Sequence, residues 1–217
     1  MSLSKVEQYI ETGNHQDLAL LLSQSSEPLT QATSQGVSPL LLACYYDKKQ
    51  VISTILKYTQ TITFHEACAV GLLNPVKQML SEEQVKVDEF SENGFSALGL
   101  ASHFGHESIV RHLLLHKANP NAASENGYNV YPLHSALSNN HSEVAKMLIE
   151  AGANVNVVQH GGVTPLHLAV MHGNIDLLIL LLEHDADITL RNEGGQNASD
   201  IAAEKGYREI ADILKTD

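Results

Sequence analysis

The sequence predicts an all-α solenoid of about seven helix-turn-helix units, and three observations carry that expectation. A six-residue pattern recurs, best formed at Thr164-Pro165-Leu166-His167-Leu168-Ala169. A residue that tolerates left-handed backbone follows each copy at a fixed offset, and an apolar pair spaced i, i+3 follows that.

The first observation rests on several copies. Tyr131-Pro132-Leu133-His134-Ser135-Ala136 repeats the pattern 33 residues earlier. Looser echoes are Ser38-Pro39-Leu40-Leu41-Leu42-Ala43, Thr63-Phe64-His65-Glu66-Ala67, Ser96-Ala97-Leu98-Gly99-Leu100-Ala101 and Asn197-Ala198-Ser199-Asp200-Ile201-Ala202. A Ser, Thr or Asn before the apolar run suits a helix N-cap, and a proline next to it suits the first helical position.

The other two registers follow the first. Six residues after Leu41, His65, Gly99, His134, His167 and Asp200 stand Asp47, Gly71, Gly105, Asn140, Gly173 and Gly206, types suited to ending a helix. Further on come Ile52/Ile55, Val76/Met79, Val110/Leu113, Ala145/Leu148, Leu178/Leu181 and Ala211/Leu214, the apolar stripe of a second helix. The same offsets from Gly13 reach Leu18 and Leu21, which places a degenerate first unit behind the capping box Ser4-Lys5-Val6-Glu7.

This order of landmarks resembles the ankyrin repeat family, whose unit is a β-turn finger followed by two antiparallel helices. The unit's Gly-Ala-x-Val-Asn end matches Gly152-Ala153-Asn154-Val155-Asn156, with looser forms at Lys117-Ala118-Asn119-Pro120-Asn121 and Asp185-Ala186-Asp187-Ile188-Thr189. The resemblance covers essentially all of residues 1–217 as one domain. Its units are approximately 1–35, 36–60, 61–93, 94–126, 127–161, 162–194 and 195–217. Two departures stand out. Leu41 and His65 are only 24 residues apart, too close for a finger between units two and three, and Tyr128-Asn129-Val130-Tyr131 carries one extra residue in its finger.

Composition narrows the function. A formal charge of −12 with no basic arm argues against nucleic acid, and no stretch reaches the roughly 18 apolar residues of a membrane span. The start lacks the apolar core of a signal peptide, so the expected compartment is the cytoplasm. Cys44 and Cys68 sit in apolar, Ala-rich segments, as buried core thiols do, and neither has a neighbouring cation to activate it. His112 and His116 are spaced i, i+4, yet no acidic or cysteine ligands accompany them. They are expected to face solvent on the convex side. No phosphate-binding loop, nucleophile elbow or zinc-protease motif is present. No catalytic residue, metal site, cofactor or small-molecule substrate is therefore expected.

Within the resemblance, partners are held by the finger tips and by two positions near the end of each first helix, both lining a concave groove. Transferred by register, these positions are Tyr45, Tyr46, Val70, His103, Phe104, Ser138, Asn139, Met171 and His172, with Phe95 and Tyr128 at fingers. Aromatic residues anchor interfaces because they bury much area at low entropic cost. Packing between neighbouring units is the competing use for the same rings. The histidines His65, His134 and His167 match family positions that tie turn to helix. The reading is a non-catalytic scaffold or adaptor binding a protein whose surface is neutral or basic. An enzyme or metal-dependent protein with an unrecognised site, or a structural spacer, are the alternatives.

Overall fold

The computed structural model describes residues 4–215. Among them lie fourteen α-helices, which pair in sequence. The pairs are α1 (Lys5–Thr12) with α2 (His15–Gln24), α3 (Pro39–Tyr45) with α4 (Lys49–Tyr58), and α5 (Phe64–Val70) with α6 (Leu73–Ser81). Then follow α7 (Ala97–His103) with α8 (Glu107–Leu115), α9 (Pro132–Ser138) with α10 (Ser142–Glu150), α11 (Pro165–Met171) with α12 (Ile175–Glu183), and α13 (Ala198–Glu204) with α14 (Arg208–Ile213). The odd-numbered helices stack in one continuous layer from α1 to α13. The even-numbered helices form a second layer that loses extensive contact between α4 and α6 and again between α12 and α14.

First helices of two turns are too short to persist alone, so caps and neighbours must hold them. Ser38, Thr63, Ser96, Thr164 and Asn197 each accept the backbone N–H three residues on, and Pro39, Pro132 and Pro165 open their helices. The residues expected to end these helices all have positive φ: Asp47, Gly71, Gly105, Asn140, Gly173 and Gly206, as has Gly13. Two of these glycines answer a second constraint. A Cβ on Gly71 would meet the His106 ring at 2.8 Å, and one on Gly105 would meet His141 at 2.6 Å. Residues 97–102 of α7 are buried without a break, because α7 lies between α5 and α9. That is why small residues fill it. Of the expected stripe on the second helices, Val110/Leu113, Ala145/Leu148 and Leu178/Leu181 are buried, whereas Ile52 and Met79 are half-buried. The half-burial falls where α4 and α6 part.

Polar ties join each unit to the next. The imidazole Nε2 of His65, His134 and His167 donates to the carbonyls of Glu89, Val163 and Gln196 in the following finger, at 2.8, 3.0 and 3.2 Å. The Nε2 of His106, His141 and His172 donates back to Ala69, His103 and Ser138 at the end of the preceding first helix. Asn121 and Asn156 accept from the backbone of Asn154 and Asp187 and donate to the carbonyls of Gly152 and Asp185. Asp88, in the same register, can only accept, from Asn119 N–H. At the N-terminal end, Glu7 completes the capping box with Ser4 and also accepts from Ser34 N–H in the first finger.

His112 is half-buried, and its Nε2 is shielded with no hydrogen-bond partner among the described residues, so only His116 faces solvent as expected. The α8 helix packs between α6 and α10, and the His116 ring lies 4.3 Å from that of His112.

The apolar interior divides in two. Val6, Leu18, Leu42, Val51 and Ile55 form one cluster, which reaches as far as Ala69 and Leu100. Phe64, Cys68 and Val76 begin the other, which continues to Leu214. The seam runs through the third helix pair, where the finger is absent and only five residues join α4 to α5. Units of a solenoid open where their interface is weakest. Amide hydrogen exchange is expected to release α1 to α4 ahead of α7 to α12, and uniform protection would contradict this.

Capping yields a second expectation. In α11 Thr164 caps His167 N–H and also pairs with His167 Nδ1 at 2.8 Å; in α9 the cap residue is Tyr131, and His134 Nδ1 is buried without a partner among the described residues. Thr164→Val should lower stability by about 1–2 kcal/mol, measured by urea unfolding.

Acid sensitivity follows from the same ties. Burial holds the imidazoles of His65, His106, His134 and His167 below their usual 6.5, that of His134 at about 4. Groups lowered in this way contribute full stability above 6.5 and lose it as pH falls toward the folded value. Hydrogen bonds from Ser34 hold Glu7 at about 2, so its contribution is complete above 4.5 and is lost on further acidification. The urea midpoint is expected to drop between about pH 7 and about pH 5, and a flat profile would contradict this.

Candidate protein-binding face

The C-terminal ends of the first helices lie side by side because α3 to α13 stack in register. On this edge Tyr45, Tyr46, Ser138, Asn139, Met171 and His172 are exposed, while Val70, His103 and Phe104 are half-buried. The structure brings Tyr45, His103 and Phe104 together. The Tyr45 ring lies 5.4 Å from His103 and 5.3 Å from Phe104, and the latter two are 4.7 Å apart, edge to face. Tyr45 thus reaches past the third unit, which carries Ala69 and Val70 in the same register. Small side chains there let the second and fourth units touch.

The cluster continues into polar residues. Asn139 donates to His103 Nδ1 at 3.1 Å and to the Ser135 carbonyl, and His172 donates to the Ser138 carbonyl at 3.0 Å. Desolvation, with His141 nearby, lowers the His103 imidazole, so it is neutral near pH 7 and accepts at Nδ1. Partial desolvation among these rings raises the Tyr45 hydroxyl to about 12, so it stays protonated.

Other expected residues stand apart. Tyr46 donates to Glu11 at 3.2 Å and accepts from Gln35, which ties it to α1 and the first finger. Phe95 and Phe104 both pack against the N-terminal apolar cluster. Tyr128 is 59% exposed at its finger, edge to face with His160 at 5.9 Å, and Met171 is 44% exposed. The extra residue of that finger is accommodated by Asn129 at φ 50°. Sequence reasoning gave no bracing role to His106 and His141, which support this edge from beneath. Their signal was positional, since both directly follow the residue that ends a first helix.

Cys44 and Cys68 are buried free thiols, and burial pushes both upward in pKa, Cys44 to about 12. A protonated thiol is a poor nucleophile. No helix among the described residues is long and apolar enough to cross a membrane.

Comparison with protein families gives two matches. A model described as ankyrin repeats in three copies matches residues 64–159, and one described as ankyrin repeats in many copies matches residues 148–202. No curated protein matches. Ankyrin repeats are generally protein-protein interaction modules and typically not enzymes. With paired helices stacked in two layers, fingers between them and both matches together spanning residues 64–202, this chain belongs to the ankyrin repeat family.

Proposed function

We propose that the chain is a non-catalytic adaptor of one domain that holds a partner protein in the concave groove formed by its first-helix ends, with the finger tips adding contacts. The observation that carries this reading is the exposed edge on which Tyr45 packs against His103 and Phe104. A tyrosine 39% exposed in a cluster of rings, with Asn139 bonded to His103, offers an apolar anchor with a polar rim, and Ser138, Met171 and His172 continue the edge. Tyr46, Val70, Phe95 and Tyr128 extend the surface toward both ends. The net charge of −12 suits a partner face that is neutral or basic, with attraction that weakens as salt rises. Buried, unactivated thiols suit a reducing compartment, and we place the protein in the cytoplasm.

Affinity capture with mass spectrometry, followed by titration of the recovered partner, tests this reading. Tyr45→Ala and Met171→Ala are expected to weaken binding, a true anchor by about 2 kcal/mol, with little change in unfolding midpoint. Phe104→Ala is expected to cost stability as well, because Phe104 packs on the N-terminal core. Leu115→Ala on α8, at a side chain 71% exposed, should leave affinity intact. Equal affinity for wild type and Tyr45→Ala would overturn the groove assignment.

A further inference from the structure

The fingers are joined edge to edge by backbone hydrogen bonds, and the series is broken once. Glu125 N–H donates to the Gly94 carbonyl at 2.8 Å, His160 N–H to Tyr128 at 2.9 Å and Glu193 N–H to Gly161 at 2.9 Å. The matching donor in the finger after the gap is Glu92 N–H, which has no acceptor among the described residues. The acceptor across the gap, the Gly36 carbonyl, is taken by the side-chain amide of Asn93. The two fingers therefore touch at their tips and leave a space behind them.

That space is a cleft of about 310 Å³. A second one of about 330 Å³ adjoins it, sharing Leu29, Thr30, Ser38, Thr63 and Glu66. Leu41 and Phe90 form apolar wall; Glu66, Glu89 and Glu92 bring carboxylates, and no lysine or arginine lines either space. Leu41 stands where His65, His134 and His167 donate to a following finger. With no finger to receive it, a donor there would be unpaired. The Glu89 and Glu92 carboxylates have no hydrogen-bond or ion-pair partner among the described residues.

We propose that this gap is a second binding site, which takes an extended segment of a partner protein in place of the absent finger and an arginine or lysine side chain among Glu66, Glu89 and Glu92. Glu92 N–H supplies the backbone pairing that sheet edges offer to extended peptides, and the aliphatic stem of the basic residue lies on Leu41 and Phe90. Charge complementarity selects the cation, because three carboxylates border a cleft with no cation of its own. The site uses none of the residues assigned to the concave groove, and either can hold without the other.

The test is a ¹⁵N-resolved NMR titration of the full chain with pools of capped peptides whose central residue is fixed as arginine, glutamate or leucine. The arginine pool is expected to move the amide signals of Glu92, Glu66 and His65. The doubly substituted E89Q/E92Q chain should bind it about fivefold more weakly while remaining folded, since both carboxylates are exposed and unpaired. Equal responses to the arginine and glutamate pools, the same shifts from calcium ion alone, or no shift with any pool would overturn the proposal. Shifts at Tyr45 and His103 alone would also overturn it while leaving the groove reading intact.

Discussion

Three of the first helices here end in a backbone carbonyl that an imidazole of the next helix pair satisfies, and much of the architecture follows from that. A carbonyl at the end of a first helix, such as Ala69 or His103, would be left without a donor as the neighbouring unit covers it. The imidazoles of His106 and His141 supply the donor from that neighbour. Fingers are held likewise, through His65, His134 and His167. Stacking is therefore specified in register as well as driven by apolar burial, because a slipped unit would leave both ring and carbonyl unpaired.

The same requirement explains why the departures gather in one place. Where the finger is absent, the histidine position holds Leu41, the asparagine rung becomes the acceptor Asp88, and Asn93 bridges to Gly36. Around this point the apolar core divides and the two second helices part. Continuity passes instead through α5 and through the Tyr45, His103 and Phe104 rings laid over its small residues. The surface offered to a partner is thus set by a local economy of side-chain size: Ala69 and Val70 make room, and rings from both sides fill part of it. The Ser38 hydroxyl, donating to Glu66 at 2.6 Å, adds a polar link across the same joint.

Much of the fold was legible because the constraints are local. A cap residue, a proline at the first helical position, a left-handed terminator and an apolar stripe each act within a few residues, so their spacing alone located both helices of every pair. The missing finger was legible too, as a shortened distance between Leu41 and His65. The candidate face was legible only as a set of positions, since register says which residues share an edge but not which rings meet. Tyr46 and Phe95 show the limit: the first is tied to Glu11 and Gln35, the second packs on the N-terminal core, and both contacts join segments far apart in sequence.

The sequence by itself therefore determined the helix pairs, their order and the place where the stack is interrupted, because short-range backbone requirements leave few residue types able to meet them. Only the tertiary structure decided that the core divides at that interruption, that Tyr45 spans it to reach Phe104, and that His112 is half-buried. It likewise decided that Glu92 N–H is left without an acceptor among the described residues, beside an acidic cleft. These outcomes depend on which surfaces meet once the units stack, and no periodicity within a single unit encodes the volume left between two of them.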